Sequence, residues 1–131
     1  MSRSPLILAA LLPGLLAGLS ACAATGEGAT ITYEGVETRL LDNDLVGFEV
    51  ALSGTTNRAK ATAYATCAAA QYAQIRGYGF ARHVRTTVQK RGNGLSADAV
   101  YLISDAIPRG LRTIDAEVTL ADCVERGIPT V

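Results

Sequence analysis

The sequence predicts an α+β fold: an antiparallel sheet of about four strands with one long helix packed on one face, in the order strand–helix–strand–strand–strand. Three observations predict it. From Leu45 to Ser53, Val46, Phe48, Val50 and Leu52 alternate with Gly47, Glu49, Ala51 and Ser53, the period-two pattern of a strand with one buried side. From Arg58 to Arg76 the chain is rich in alanine, and Ala61, Tyr64, Ala65, Ala68, Tyr72 and Ile75 recur at helical spacing. The second half is a series of apolar runs divided by short turns, which reads as an antiparallel meander. The helix has to bury its alanine-and-tyrosine side, and one face of the sheet is the place for it.

The elements follow in order. Ile31, Tyr33 and Val36 suggest a short strand or extended segment broken by Gly35, which Glu37 to Leu41 could continue. Asp42-Asn43-Asp44 is a turn cluster. Thr56 or Asn57 is placed to cap the helix, and Gly77 to end it. Phe80 to Lys90 reads as a strand with Phe80, Val84 and Val88 on one side, and Arg91-Gly92-Asn93-Gly94 as a turn. Ala99 to Ser104 follows as a central strand, then a turn at Pro108-Arg109-Gly110. Leu111 to Leu120 reads as the last strand, with Ile114, Ala116, Val118 and Leu120 alternating. Ala121 to Val131 has room for one helical turn before Gly127.

The first 29 residues have a different character. Arg3 is followed by an apolar stretch from Leu6 to Leu19, with no charge until Glu27. This is the layout of a secretory signal, and its core is shorter than the roughly 20 residues a spanning helix needs. Leu19-Ser20-Ala21-Cys22 resembles the lipobox of bacterial lipoproteins. That resemblance implies a diacylglycerol on the Cys22 thiol, cleavage before Cys22 and acylation of the new amine. It divides the chain into a signal peptide (1–21), a lipidated tether (22–29) and a single domain (30–131). Two or more acyl chains hold a protein stably on a membrane, where one does so only marginally. Ala23 after the lipidated cysteine implies, by resemblance to enteric lipoproteins, the outer membrane facing the periplasm.

The mature part carries a second resemblance. The strand ending at Ser53-Gly54, the helix around Ala68-Ala69 and the step Gly77-Tyr78-Gly79-Phe80 are similar to a module of small alphaproteobacterial lipoproteins. Where those carry an Arg-Ala-Ala-Glu-like run, this chain has Cys67 to Ala70. The module implies fold and location and brings no activity with it.

Beyond Cys22, two cysteines remain. Cys67 and Cys123 pair in an oxidising compartment or stand as buried free thiols, and the sequence leaves both open. Lysines plus arginines equal aspartates plus glutamates at 12 each, which argues against a nucleic-acid partner. The charges are segregated nonetheless. Between Glu49 and Asp98 the chain carries seven basic residues and no acidic one. A contact face around Arg82, Arg85, Lys90 and Arg91 for anionic headgroups or an acidic partner is one reading. Internal pairing with the acidic flanks is the other.

Catalytic candidates are few. His83 is the one histidine, flanked by Arg82 and Arg85, which oppose a cation. Joined with Cys67 and Cys123 it makes a metal set without a close-spaced pair. As a base for a nucleophile it lacks a surrounding signature such as G-x-S-x-G. The expected role is an exposed strand histidine. Asp42/Asp44 and Asp115/Glu117 read as solvated surface, and Gly92-Asn93-Gly94 as a hairpin rather than a phosphate loop. The sequence therefore predicts no catalytic residue, no metal and no cofactor. It predicts a membrane-anchored, noncatalytic module of the cell envelope with an envelope protein as partner. An envelope-stress sensor is the alternative, and a small hydrolase using His83 a distant third.

Overall fold

A computed structural model describes residues 30–107 and 112–130. The lipobox with Cys22, the tether before Thr30 and the Pro108-Arg109-Gly110 turn lie outside those residues. The described chain is α+β, with strands β1 (Thr32–Leu40) and β2 (Leu45–Ser53), helix α1 (Arg58–Ile75), strands β3 (Phe80–Arg91), β4 (Gly94–Ser104) and β5 (Thr113–Asp115), and helix α2 (Ala116–Glu125). The sheet is antiparallel with strand order β1-β2-β4-β3-β5. Five strands and two helices replace the four and one that the sequence predicts.

The pairing register sorts side chains onto two faces. Val46, Phe48, Val50 and Leu52 stand opposite Tyr101, Ala99, Ala97 and Leu95, and all eight are buried. This is the face that α1 covers. Alanines make the close approach possible: Ala61, Ala65, Ala68, Ala69 and Ala73 are buried at 1% exposure or less. Cys67 and Ala70, on the other side of the helix, are buried as well, because α2 packs against α1 there. Small side chains alone would leave holes, and the aromatics fill them. The Tyr64 ring meets Tyr33 edge-on at 4.8 Å, and Phe48 meets Tyr72 and Tyr101 at 5.7 and 6.2 Å.

Both helix ends follow local chemistry. Asn57 caps α1 by accepting from the Ala59 amide at 3.0 Å. Gly77 takes φ +82° after the helix, and the Tyr78 amide donates back to the Ala73 carbonyl at 2.8 Å, the closure that glycine favours. Gly127 ends α2 in the same way, with φ +71° and the Ile128 amide donating to the Cys123 carbonyl.

Two local features depart from the sequence reading. Leu111 to Leu120 is not one strand: three residues pair with β3, and the chain turns helical at Ala116. Asp115 is the switch, accepting from the Val118 amide at 3.0 Å as N-cap, with Glu117 in the first turn where the helix dipole favours an acid. Ala116, Leu120 and Cys123 satisfy helical spacing as well as Ala116, Val118 and Leu120 satisfy alternation. Burial of Ala116 and Cys123, with Val118 66% exposed, decides for the helix. In β3, a bulge between His83 and Arg85 changes the phase of the strand. Phe80 pairs with Ser104 and Val88 with Ala97, so the two lie on opposite faces. Val84 is skipped by the pairing and is 44% exposed.

Two substitutions test these contacts. A Cβ on Gly94 would fall on the Leu52 carbonyl and within 2.6 Å of the Ser53 Cα, both backbone in a central strand. Gly94→Ala is expected to destabilise by about 2 kcal/mol or more, read as a lower midpoint in urea; an unchanged midpoint would contradict the packing. The Tyr64 hydroxyl accepts from the Gly35 amide at 3.1 Å, where β1 shifts register around Gly35 at φ +123°. Tyr64→Phe is expected to cost about 1 kcal/mol and to speed hydrogen exchange at Gly35.

Candidate functional site

Each predicted site residue within the described chain has a definite place. Cys67 and Cys123 are joined by a disulfide between α1 and α2, with Cα atoms 6.0 Å apart and a separation of 56 positions in sequence. Both are buried, at 2% and 1% exposure. The pairing settles the alternative that the sequence left open. It also removes both thiols from any metal set. Among the described residues, no group of three or more His, Cys, Asp or Glu is arranged to hold a metal ion.

His83 is half-buried rather than exposed. The bulge leaves it opposite Tyr101, on the face that α1 covers. Its ring lies edge-on to Tyr101 at 5.2 Å, and Nε2 is 2.6 Å from the Thr86 hydroxyl. The Tyr101 hydroxyl in turn shares a hydrogen bond with Thr66 of α1 at 2.9 Å. Burial, then the charge of Arg112, holds the imidazole below its ordinary value of 6.5, opposed by a backbone hydrogen bond at Arg85. The neutral ring suits this setting, and the polar atoms around it are satisfied by one another.

That shift has a testable sign. The folded chain holds the His83 proton less tightly than the unfolded chain does. Its stabilising contribution is complete above 6.5 and is lost as the pH falls through 6.5 toward the folded value. An NMR titration of the one histidine is expected to give a midpoint under 6.5. A midpoint at or above 6.5 would contradict the placement.

The four cations that one of the two readings placed on a single face do not share one. Arg82, Arg85 and Arg91 point to the sheet face away from α1, while Lys90 pairs with Leu95 on the α1 side. Arg85 lies 4.0 Å from Asp98. Alternation along β3, with its phase reset at the bulge, divides a run that is contiguous in sequence.

The face away from α1 carries a row of charges that the sequence did not disclose. Glu37 stands opposite Glu49, and Glu49 opposite Asp98. Arg39 forms ion pairs with Glu37 and Glu49. A hollow of about 110 Å³ lies among Arg39, Leu41, Gly47, Glu49, Arg85, Asp98 and Val100. A second, of about 330 Å³, shares Arg39, Glu49 and Asp98 and adds Thr87, Gln89 and Ser96. The ion pairs are more than a third exposed on both partners, so each contributes little to stability. Only strand register brings these residues together, and no local motif announces register.

At the sheet end holding the β1–β2 hairpin, Arg76 sits 5.5 Å from the Tyr72 ring centre and 5.7 Å from that of Tyr78. The Tyr78 hydroxyl donates to Asp44 at 3.2 Å. Leu40, Leu41 and Ile75 are exposed at this end, at 58%, 51% and 68%, with Leu41 lying over Gly47 on the free face. Among the described residues, no helix is long and apolar enough to cross a membrane.

Comparison with known proteins gives the lineage. A family model described as the YNQ4 C-terminal domain matches residues 33–127. An 87-residue stretch is 38% identical to a Paracoccus denitrificans protein named as an uncharacterized 26.9 kDa protein in the nqo8 5′ region, covering 66% of this chain and 34% of that one. The chain thus spans about a third of the length of that curated relative. No solved structure matches. With the family model reaching from β1 to the end of α2, the chain belongs to the YNQ4 C-terminal domain family.

Proposed function

We propose that the protein is a lipid-anchored bacterial lipoprotein whose folded domain works as a noncatalytic binding or structural module on the periplasmic side of the cell envelope. The observation that carries this reading is the pairing of a lipobox-like Leu19-Ser20-Ala21-Cys22 with a buried disulfide in the following domain. Structural disulfides persist in oxidising compartments and are rare where thiols are kept reduced. An exported chain supplies both features from one cause. The open, charge-lined hollows on the free sheet face suit contact with another macromolecule better than enclosure of a small substrate. The outer membrane is its destination, on the character of Ala23.

A sensor that passes a signal to a membrane partner is the second reading. The exposed Leu40 and Ile75 at the hairpin end favour it, since apolar side chains left in solvent at one end suit a contact surface.

Membrane fractionation after labelling with palmitate tests the anchor. The native chain is expected to take up label and sediment with membranes. Cys22→Ala is expected to lose the label and keep the uncleaved signal. Equal labelling of both chains would overturn the assignment of Cys22.

A further inference from the structure

The structure groups four cations that the sequence keeps apart. Thr30, the first described residue, lies against Gly54, whose amide donates to the Asn93 carbonyl at 3.3 Å. The tether therefore enters the domain beside the β3–β4 turn. Lys90 and Arg91 end β3 there, and Arg58 and Lys60 open α1 at the same end, where the Arg58 guanidinium donates to the Val88 carbonyl. All four are exposed, and among the described residues none takes part in an ion pair. Glu34 is the one acid on the segments that meet there, and Arg91 lines a hollow with Glu34, Glu37 and Glu49. The first turn of α1 holds these two cations and no acid, the arrangement the helix dipole disfavours. The far end is close to balance: Asp42, Asp44, Asp105 and Asp115 stand with Arg76, Arg82 and Arg112.

We propose that Arg58, Lys60 and Lys90 on the α1 side and Arg91 on the other side, all at this one end of the sheet, form a docking end for an anionic phospholipid surface, which sets the domain upright on its own anchor. This rests on the lipidation of Cys22 proposed above. Seven residues separate Cys22 from Thr30. A chain of seven residues spans at most roughly 25 Å. That tether length allows the basic end to come within the 8–10 Å range over which surface charge acts in physiological salt. The hairpin end, a strand's length of about 30 Å away, then faces outward with Leu40, Leu41 and Ile75.

The chain has no tryptophan, so single tryptophans report depth. Mature lipidated protein bearing Asn93→Trp or Asn43→Trp is reconstituted on phosphatidylcholine vesicles, with and without phosphatidylglycerol, containing a brominated lipid quencher. Asn93→Trp is expected to be quenched far more than Asn43→Trp when phosphatidylglycerol is present. High salt is expected to abolish the difference. Each lysine or arginine near an anionic surface is worth roughly fivefold in surface occupancy, so K60Q/K90Q/R91Q should lower it by on the order of a hundredfold. That triple variant leaves the Arg58 hydrogen bond in place. Equal quenching at both positions on anionic vesicles, or quenching unaffected by the triple variant, overturns the docking end, including the case where the patch serves an acidic protein. Failure to associate with phosphatidylcholine alone would instead defeat the lipid anchor.

Discussion

Replacing Cys67 and Cys123 together by alanine is expected to lower the unfolding free energy by about 4 kcal/mol. Closing a loop of 56 residues removes that much chain entropy from the unfolded state in the simplest model. The folded state adds to the loss. Both sulfurs are buried between α1 and α2, and truncating them leaves space in a region already lined by alanine. α2 is short, and β5 before it pairs over only three residues. Without the bridge, the β5–α2 unit has few other ties to the sheet and should open first. For a domain of this size the change corresponds to a melting point lower by about 15 to 30 °C. Thermal melts with and without reductant measure it. Native protein under reductant should melt close to the double variant, and a shift of only a few degrees would show that packing alone holds α2.

Phe48→Ala is expected to cost about 3 to 5 kcal/mol, the usual range for emptying a buried aromatic site. Phe48 is 1% exposed at the centre of β2 and touches two other rings edge-on. Its neighbours across the sheet and on the helix are largely alanines: Ala99 is its partner, and Ala65, Ala68 and Ala69 lie in the same core. Such side chains have no rotamers with which to reach into a vacancy, so the cavity should stay open. Phe48→Leu, which keeps most of the volume, is expected to lose much less. Urea titrations of the two variants separate a packing loss from a general intolerance of change, and equal losses would speak against the cavity account.

How far the sequence reaches is clear from particular elements. β2 and α1 were legible because each satisfies only one period over many residues, and because Asn57 and Gly77 mark the helix ends by chemistry that acts within one turn. β1 was legible as a short strand or extended segment but was not counted into the sheet, since Gly35 breaks the alternation and its bulge is stabilised by Tyr64, a partner 29 residues away. α2 was read as strand because a ten-residue stretch fits two periods, and the disulfide that favours the helix is a tertiary fact. The basic run of β3 was visible as charge. Which face each cation takes depended on a bulge at Val84 that no turn residue signals. The same limit hid the tether-side group of Arg58, Lys60, Lys90 and Arg91, because nonlocal pairing brings α1 to the β3–β4 turn.

The most direct test of the lipid-anchored, disulfide-braced account is the intact mass of the protein extracted from membranes and measured without reductant. The account predicts a chain that begins at Cys22, carries a diacylglycerol and an amide-linked acyl chain, and is two hydrogens lighter than its fully reduced form. A soluble chain that retains its first 21 residues, bears no lipid and has two free thiols would contradict it.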